Sequence, residues 1–307
     1  MAGNESLGLW NLSRLRFFLE AAESLSFSKA AARLRVSQPA VSRQIKELEG
    51  AVGVRLFERV GRGMALTEAG YTLLTHARRV REALEELEAD MSAMHGTMAG
   101  TLLLGASTVW EYLLPNPMGS FKAAHPRVSL SLAMGNSAQV MDMLGQNKIH
   151  LAFVGEPPHG GDFDPVFEME DEIAVVAAPD HRLAQSGPIA PGRLIGEPFV
   201  LREPESATAH AATRYLEGLG VSPVVALELG GHEAVKAAVR AGFGLGMVST
   251  HAVRHELASG ALARVQLQAP PCKRPLFVLR RRSRPYSPVQ KAFVSHLAGG
   301  LGAGARA

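Results

Sequence analysis

With 307 residues, the chain is long enough for two or three domains of ordinary size, which excludes a single small binding module. Hydrophobic residues make up 47% of it and charged residues 20%, proportions of a folded globular protein that exclude extensive disorder and fibrous repeats. The net charge of +3 is too small to indicate a nucleic-acid partner by itself.

The sequence also limits location and cofactors. No stretch approaches the ~18 consecutive apolar residues of a membrane span, and the N-terminus lacks a signal-peptide pattern, so we expect a cytoplasmic protein without membrane contact. The one cysteine, Cys272, excludes an internal disulfide and a cysteine-rich metal cluster. His251 and His255 lack a third metal ligand, and no motif indicates a catalytic residue or a cofactor, so we expect no enzyme activity.

Three short helices are predicted near the N-terminus. Asn11 can cap the first, whose apolar face consists of Leu15, Phe18, Leu19 and Ala22. Ser28 can cap an alanine-rich second helix over residues 29–35, and Ser37 can cap a third, with Pro39 in its first turn. The apolar face of the third helix consists of Val41, Ile45, Leu48 and Val52. The tight turn between the second and third helices predicts a helix-turn-helix.

The third helix carries side chains suited to reading DNA bases. Gln can bond adenine, Arg can bond guanine, and an apolar surface such as that of Pro39 can meet a thymine methyl. Between residues 25 and 64, eight basic residues stand against three acidic ones. A solvated helix face would suit any one of these residues, but their combination favours DNA binding. Residues 56–66 predict a hairpin whose tip carries Arg62, either as a minor-groove wing or as a plain exposed turn.

A long helix follows the hairpin, capped by Thr67 and running to about Met94. Its apolar residues alternate in steps of four and three, which predicts a heptad seam of Leu73, Ala77, Val80, Leu84, Leu87, Met91 and Met94. We expect this seam to pair with the same helix of a second chain, the alternative being packing onto its own C-terminal region. Residues 96–100 then read as a hinge.

From residue 101 onward, strand-like runs alternate with helical patterns, which predicts an α/β fold. Strands are expected at 101–105, 128–134, 151–154, 173–177, 199–201, 224–229 and 245–249, with helices at 113–124, 138–146, 207–219 and 233–241. This order predicts two subdomains that are joined by crossovers near 167–172 and 270–271, with residues 276–301 completing the first.

Polar residues stand where predicted strands end and helices begin. In α/β sheets, ligands bind at such points, where helix N-termini favour an anionic or polar group. Ordinary helix capping is the alternative for any one of these residues, so only their convergence would make a site. The candidates are Ser107, Thr108, Asn136, Ser137, Ser206, Thr208 and His232.

Five short motifs run through the N-terminal region: residues 15–18 (LRFF), 28–31 (SKAA), 36–42 (VSQPAVS), 56–59 (LFER) and 66–70 (LTEAG). Together they closely resemble those of LysR-type transcriptional regulators. The resemblance implies a winged helix-turn-helix that binds double-stranded promoter DNA as a homodimer or homotetramer, with RNA polymerase as a further candidate partner. The resulting DNA-contact candidates are Ser28, Gln38, Pro39, Ser42, Arg43, Gln44, Lys46, Arg59 and Arg62.

The C-terminal half resembles the effector-binding region of the same family, whose fold is similar to that of periplasmic binding proteins. Residues 135–137, 201–204 and 242–246 are most similar to the branch that governs carbon-fixation or sulfur-assimilation genes, and they add Arg202 to the effector candidates. That branch commonly has a Gly-Ser-Gly-Thr turn where this chain has Glu205-Ser206-Ala207-Thr208. Whether the altered turn still binds an anion is left open.

We therefore predict a winged helix-turn-helix (residues 1–66), a dimerisation helix (67–95), a hinge (96–100) and an α/β periplasmic-binding-protein-like domain. Its subdomain I would comprise residues 101–170 and 272–307, and its subdomain II residues 171–271. The predicted function is effector-responsive transcriptional regulation. Two alternatives are a small-molecule enzyme or receptor with an N-terminal assembly domain, and a DNA binder that responds to no ligand.

Overall fold

The computed structural model describes residues 11–61, 63–94, 98–156 and 161–301. The chain divides into two compact units, Met1–Leu87 and Glu88–Ala307. Within the described ranges, none of the helices has the length and apolar character that crossing a bilayer requires.

The N-terminal unit opens with α1 (Leu12–Ser24) and α2 (Phe27–Leu34). The Asn11 side chain caps α1 by accepting a hydrogen bond from the Ser13 amide at 2.8 Å, as predicted. The predicted cap of α2 is wrong, because Ser26 Oγ, and not that of Ser28, accepts from the Lys29 amide at 3.3 Å. Phe27 packs edge-on against the Phe57 ring, and this contact favours a helix start ahead of Ser28.

Helix α3 (Gln38–Val52) follows a turn in which Arg35 adopts a left-handed conformation with φ 56°. Ser37 occupies the cap position of α3 as predicted, although its side chain makes no capping hydrogen bond. Val41, Ile45 and Leu48 are buried against α1 and α2. The pair α2–α3 is therefore a helix-turn-helix, and its core lies on the face opposite the polar residues of α3.

Strands β1 (Phe57–Val60) and β2 (Gly63–Leu66) form the predicted hairpin, and α4 (Glu68–Met94) is the long helix. Thr67 Oγ1 caps α4 by accepting from the Gly70 amide at 3.0 Å. The first part of the predicted seam is wrong as a surface that pairs with a second chain, because Leu73 and Ala77 are buried in the core of their own N-terminal unit. Apolar residues further along the helix are exposed, namely Val80, Leu84, Leu87 and Met91. The side chain of Met94 and the hairpin tip Arg62 lie outside the described residues.

The C-terminal unit is built on one mixed sheet in the order β4-β3-β5-β11-β6-β9-β7-β8, with β10 (Ala263–Arg264) pairing beside β6. The long antiparallel strands β6 (Phe163–Ala177) and β11 (Cys272–Arg281) occupy its middle. The remaining strands are β3 (Gly100–Ser107), β4 (Val128–Gly135), β5 (Leu151–Val154), β7 (Pro198–Arg202), β8 (Val224–Leu229) and β9 (Leu245–Ser249). Strands β3, β4 and β5 are parallel, as are β7, β8 and β9, which gives two α/β halves.

Among the residues that the structure describes, six helices pack on this sheet: α5 (Pro115–Ala124), α6 (Ser137–Gly145), α7 (Ala207–Gly218), α8 (His232–Arg240), α9 (Thr250–Ser259) and α10 (Pro288–Leu301). Short 3-10 turns cover Thr108–Tyr112 and Pro191–Leu194. In the first half, Trp110 and Phe153 are central to the core. In the second half, Cys272 is buried at the start of β11, and burial raises the pKa of its thiol to about 11.

Three details differ from the predicted elements. The strand expected at 173–177 begins ten residues earlier, at Phe163, because β6 keeps pairing with β11 along its length. Helix α9 was not among the predicted helices. Gly100 belongs to β3 rather than to a hinge, while residues 96 and 97 of the predicted hinge lie outside the described residues.

Candidate nucleic-acid interface and ligand cleft

Helix α3 presents most of the predicted DNA-contact residues on its uncovered face. Gln38, Pro39, Arg43 and Lys46 are exposed, and Ser42 and Gln44 are half-buried. Ser28 in α2 and Arg59 in β1 are also exposed. The helix thus offers amide, hydroxyl, guanidinium and apolar groups on its first turns, as an element that enters the major groove requires.

Arg43 is held within its own helix by Glu47. Arg43 Nε donates to Glu47 Oε1 at 2.9 Å, while Arg14 Nη2 lies 3.4 Å from Glu47 Oε2. The hydrogen bond from Arg43 is the main cause of a lowered pKa at Glu47, so this carboxylate stays charged. Because the bond uses Nε, the two Nη groups of Arg43, which form the fork that pairs with guanine, project from an exposed side chain.

In the C-terminal unit, the ends of three strands, β3, β4 and β7, meet at one narrow cleft. It contains seven of the eight predicted effector residues: Ser107, Thr108, Asn136, Ser137, Arg202, Ser206 and Thr208. Ser107 ends β3, Asn136 follows β4, and Arg202 ends β7. The convergence that the sequence analysis required is therefore present, at the carboxyl ends of strands from both halves of the sheet.

Arg202 joins the two halves across this cleft. Its guanidinium donates from Nε to Glu203 Oε2 at 2.7 Å and from Nη2 to Glu203 Oε1 at 2.6 Å. Nη1 donates to Thr108 Oγ1, from the other half, at 2.9 Å. Burial raises the pKa of Glu203, but the hydrogen bonds and charge of Arg202, together with hydrogen bonds from the backbone, leave the pKa lowered. Each of the three guanidinium nitrogens of Arg202 thus already has a protein partner.

Two cleft residues also act as ordinary helix caps. Asn136 Oδ1 accepts from the Gln139 amide at 2.9 Å, and Ser206 Oγ accepts from the Thr208 amide at 3.2 Å. Of the residues that replace the family's glycines, Glu205 is exposed and does not line the cleft, whereas the Ala207 side chain does. The substitution at 205 therefore adds no carboxylate to the cleft.

The assignment of His232 to the cleft lining is wrong. His232 is fully buried at the start of α8, beside the Tyr112 ring at 6.0 Å between centroids. Burial, followed by the charges of Arg202, Arg274 and Lys236, lowers its pKa well below the usual value, so the ring is neutral. Helix α8 begins at His232 itself, one residue before the predicted start, and the ring is enclosed instead of lining the cleft.

Sequence reasoning missed Arg274, a charged residue that lines the cleft from β11. The feature that could have indicated Arg274 is the alternation of inward and outward residues along the last strand, β11. Cys272, Arg274 and Leu276 are buried there, and Lys273 and Pro275 are exposed. A period of two places Arg274 on the inward face among apolar residues. The end of β5 approaches it closely, since a Cβ on Gly155 would lie 3.2 Å from Arg274 Nη1 and 2.9 Å from the Ala207 Cβ.

Two family models match the chain. Residues 12–71 match the bacterial regulatory helix-turn-helix protein, lysR family, and residues 95–302 match the LysR substrate binding domain. The chain belongs to the LysR family. It is therefore a transcriptional regulator with a DNA-binding helix-turn-helix and an effector-binding domain, and not an enzyme.

The relatives of this LysR regulator indicate which branch of the family it resembles. It is 34% identical to the RuBisCO operon transcriptional regulator of Allochromatium vinosum, over 92% of this chain and 94% of that protein. The CcmR regulatory domain of Synechocystis in complex with 2-PG has a TM-score of 0.60 at 29% identity, covering 66% of this chain and 97% of that one. Full-length OxyR of Pseudomonas aeruginosa shares the fold, with a TM-score of 0.75 at 22% identity over 95% and 96% of the two chains. The resemblance to the carbon-fixation branch is thereby confirmed.

Proposed function

We propose that this LysR regulator binds a promoter site as a homodimer through α3 and that a small anionic effector in the cleft changes this binding. The convergence of polar strand ends on a cleft lined by two buried arginines, Arg202 and Arg274, carries the effector half of the proposal. The 2-PG bound by the CcmR regulatory domain supports an anion of that kind as the ligand class. Residues 101–170 with 272–307, and residues 171–271, would be the two subdomains that close on it.

The dimer half of the proposal is supported by apolar surface on the N-terminal unit. Val80, Leu84 and Leu87 are exposed on α4, although water contact with such side chains is unfavourable. Val80 also borders an apolar groove between α1, the end of α3 and α4, which is lined by Leu12, Leu15, Val52, Val54, Leu56, Leu73 and Ala77. A second copy of the chain would cover this surface and present two α3 helices to an inverted-repeat site. The proposal also includes association of dimers into a homotetramer and a contact between this regulator and RNA polymerase.

Substitution of Leu84 tests the dimer. Leu84→Asp places a charge where the partner helix would bury it, so we expect monomers in sedimentation and loss of tight operator binding. Ala83→Asp, which adds the same charge at the neighbouring exposed position, is the matched control and should stay dimeric. A Leu84→Asp protein that remains fully dimeric would show that this face of α4 does not pair chains.

DNA binding and effector response are tested on the full chain. Genomic fragments retained by the protein are footprinted, and their affinity is measured at several salt concentrations with and without 2-PG, phosphate or a neutral sugar. Specific binding should weaken steeply with salt, because counterions compete for the phosphates. The anions, but not the sugar, should change operator affinity. Operator affinity that no anion alters would contradict the effector half alone.

A further inference from the structure

We propose that Arg274 is the charged anchor of the cleft and binds the oxyanion group of the effector, a carboxylate or a phosphate. This inference rests on the proposed function, because it names the residue that selects the effector's charge. It adds to the predicted effector residues one that lies on a different strand, β11, in the middle of the sheet.

The guanidinium of Arg274 is held in a fixed position. Its Nε donates to Asp171 Oδ2 at 2.9 Å, and Asp171 is the register partner of Arg274 across β6 and β11. Ser249 Oγ, at the end of β9, donates to Asp171 Oδ1 at 2.6 Å. Asp171 and Ser249 are completely buried and Arg274 is only 5% exposed. Arg274 is therefore preorganised, and Asp171 and Ser249 act as its positioning residues.

A donor of Arg274 remains unused. Nη2 is buried and has no hydrogen-bond partner within the described part of the chain. A buried cationic N–H without a partner is unfavourable, and an anion placed against it forms a strong, charge-assisted hydrogen bond. Arg202, the other arginine of the cleft, has Glu203 on two of its nitrogens and Thr108 on the third. Arg274 is thus the better placed of the two to receive an added negative charge.

The surroundings of Arg274 in the cleft also favour an anion. The first turns of α6 and α7, at Ser137 and Thr208, line the same cleft and contribute the positive ends of two helix dipoles. Arg274 also borders an adjoining open groove that contains Arg214 and Glu228. Arg214 is exposed and paired with Glu156 at 3.2 Å, so, unlike Arg274, it is not a buried donor held in place for an anion.

Calorimetric titration of the full-length protein with 2-PG, inorganic phosphate and acetate tests the anchor. Arg274→Lys keeps a charge for Asp171 but loses the second arm of the fork, and we expect at least a 10-fold loss of anion affinity. Arg274→Gln with Asp171→Asn replaces the ion pair by a neutral pair and should weaken binding by about 10- to 100-fold. Ser249→Ala should weaken it several-fold. The urea midpoint of each variant, followed by Trp110 fluorescence in a Trp10→Phe background, separates loss of anion binding from loss of folding.

The matched control is Arg280→Gln with Asp164→Asn, which neutralises an ion pair between the same two strands away from the cleft. It should bind anions within twofold of wild type. If the variant that combines Arg274→Gln with Asp171→Asn fails to fold, the anion affinity of Arg274→Lys tests the anchor in its place. Anion affinity within twofold of wild type in the Arg274 variants would overturn the anchor and leave the proposed function standing. An equal loss in Arg214→Gln would overturn it in favour of the groove. A wild-type protein that binds none of the anions would overturn both the anchor and the anionic effector class.

The titration also separates the two sources of negative charge. Acetate offers only a carboxylate and inorganic phosphate only a phosphate group. If Arg274 binds the phosphate end of an effector, the variants should lose phosphate affinity far more than acetate affinity, and the reverse pattern would assign the carboxylate.

Discussion

Arg43 and Arg274 pair with carboxylates through the same atom, Nε, at the same distance of 2.9 Å, yet their surroundings differ. The side chain of Arg43 is 79% exposed on a helix surface, and its partner Glu47 is one turn away. Arg274 is enclosed, and its partner Asp171 is held by a third residue, Ser249. The first arrangement leaves an exposed charge for a large polyanion, and the second fixes a buried charge for a small ligand.

This difference follows from what each surface has to recognise. DNA brings many phosphates and base edges, so exposed side chains that rearrange on contact are sufficient. A small ligand makes few contacts, and each has to be strong, which requires donors that are already desolvated and oriented. The two units of this regulator therefore use arginine in opposite ways.

The largest expected effect is on the free energy of unfolding of the protein when the carboxylate of one ion pair is removed. Asp171→Ala leaves the Arg274 charge buried without its partner and should lower the free energy of unfolding by ~3–5 kcal/mol. Glu47→Ala breaks the exposed pair and should leave the urea midpoint almost unchanged, because solvent screens that charge. Urea unfolding is followed by Trp110 fluorescence for the first variant and by helical circular dichroism for the second. Similar losses in both would remove the distinction between the pairs.

A smaller effect is expected at the DNA surface. Arg43→Ala should cost about 1–3 kcal/mol at one base step if its fork pairs with a guanine. Lys46→Ala should instead weaken all sequences alike and reduce the salt slope by about one. Affinities are compared on an operator and on its single-base variants. An equal loss on every sequence for Arg43→Ala would mean that Arg43 binds phosphate and reads no base.

The pH dependence of stability should reveal the neutral His232 of the C-terminal unit. Burial and the nearby charges of Arg202, Arg274 and Lys236 keep its pKa low in the folded chain, whereas an unfolded histidine takes up a proton below about pH 6.5. Acid therefore favours the unfolded chain, and stability should fall below that pH by up to ~1.4 kcal/mol per pH unit. Above it, His232 contributes no pH dependence.

His232→Gln is the comparison for this effect, since glutamine does not titrate. Urea midpoints at pH 5.5 and 7.5 are measured by Trp110 fluorescence in a Trp10→Phe background. The variant should lose part of the acid sensitivity of the wild type. An identical pH slope in the two proteins would show that His232 takes up protons equally in the folded and unfolded chains, so that folding does not lower its pKa.

The smallest effect is expected on effector affinity when the Thr108 hydroxyl, which accepts a hydrogen bond from Arg202 across the cleft, is removed. Thr108→Ala removes the acceptor of Arg202 Nη1, and we expect effector binding to weaken by about 0.5–1.5 kcal/mol. Operator affinity without effector should change little. If effector and operator are coupled, the operator must also change effector affinity by the same factor by which the effector changes operator affinity. Calorimetry with and without operator checks both statements, and an unaltered effector affinity in the variant would place the site elsewhere.

Local signals explain how much of this molecule could be predicted. The helix-turn-helix, the hairpin and the strands β5, β8 and β9 follow from caps, turns and periodicity within a few residues. Six of the seven cleft residues were found because they stand where a strand ends or a helix begins, the points at which the fold class itself places ligands, and Arg202 was found through the family resemblance. The burial of Leu73 and Ala77 could not be read from the heptad pattern, because a period of seven marks an apolar face without saying which surface covers it.

Long-range pairing explains what was missed. Arg274 and Asp171 are separated by about a hundred residues, and only the register of β6 on β11 brings them together. The first half of β6 escaped notice because its residues include Asp164, Glu168 and Glu170, which weaken an apolar strand pattern. His232 was misplaced because a position at a helix start does not show whether the side chain faces a cleft or is enclosed, as it is here beside Tyr112.

The burial of Cys272 has a practical consequence for measuring the motion of the cleft. It is the chain's one cysteine, and a thiol with a pKa of about 11 inside the core is nearly inert toward alkylating labels at neutral pH. Cysteines introduced at exposed Asn116 in α5 and exposed Glu217 in α7, one on a helix of each half, would therefore be labelled selectively. Cys272 would not have to be replaced. A spin-label pair at these positions would report the distance between the halves as effector and operator are added, in the intact protein.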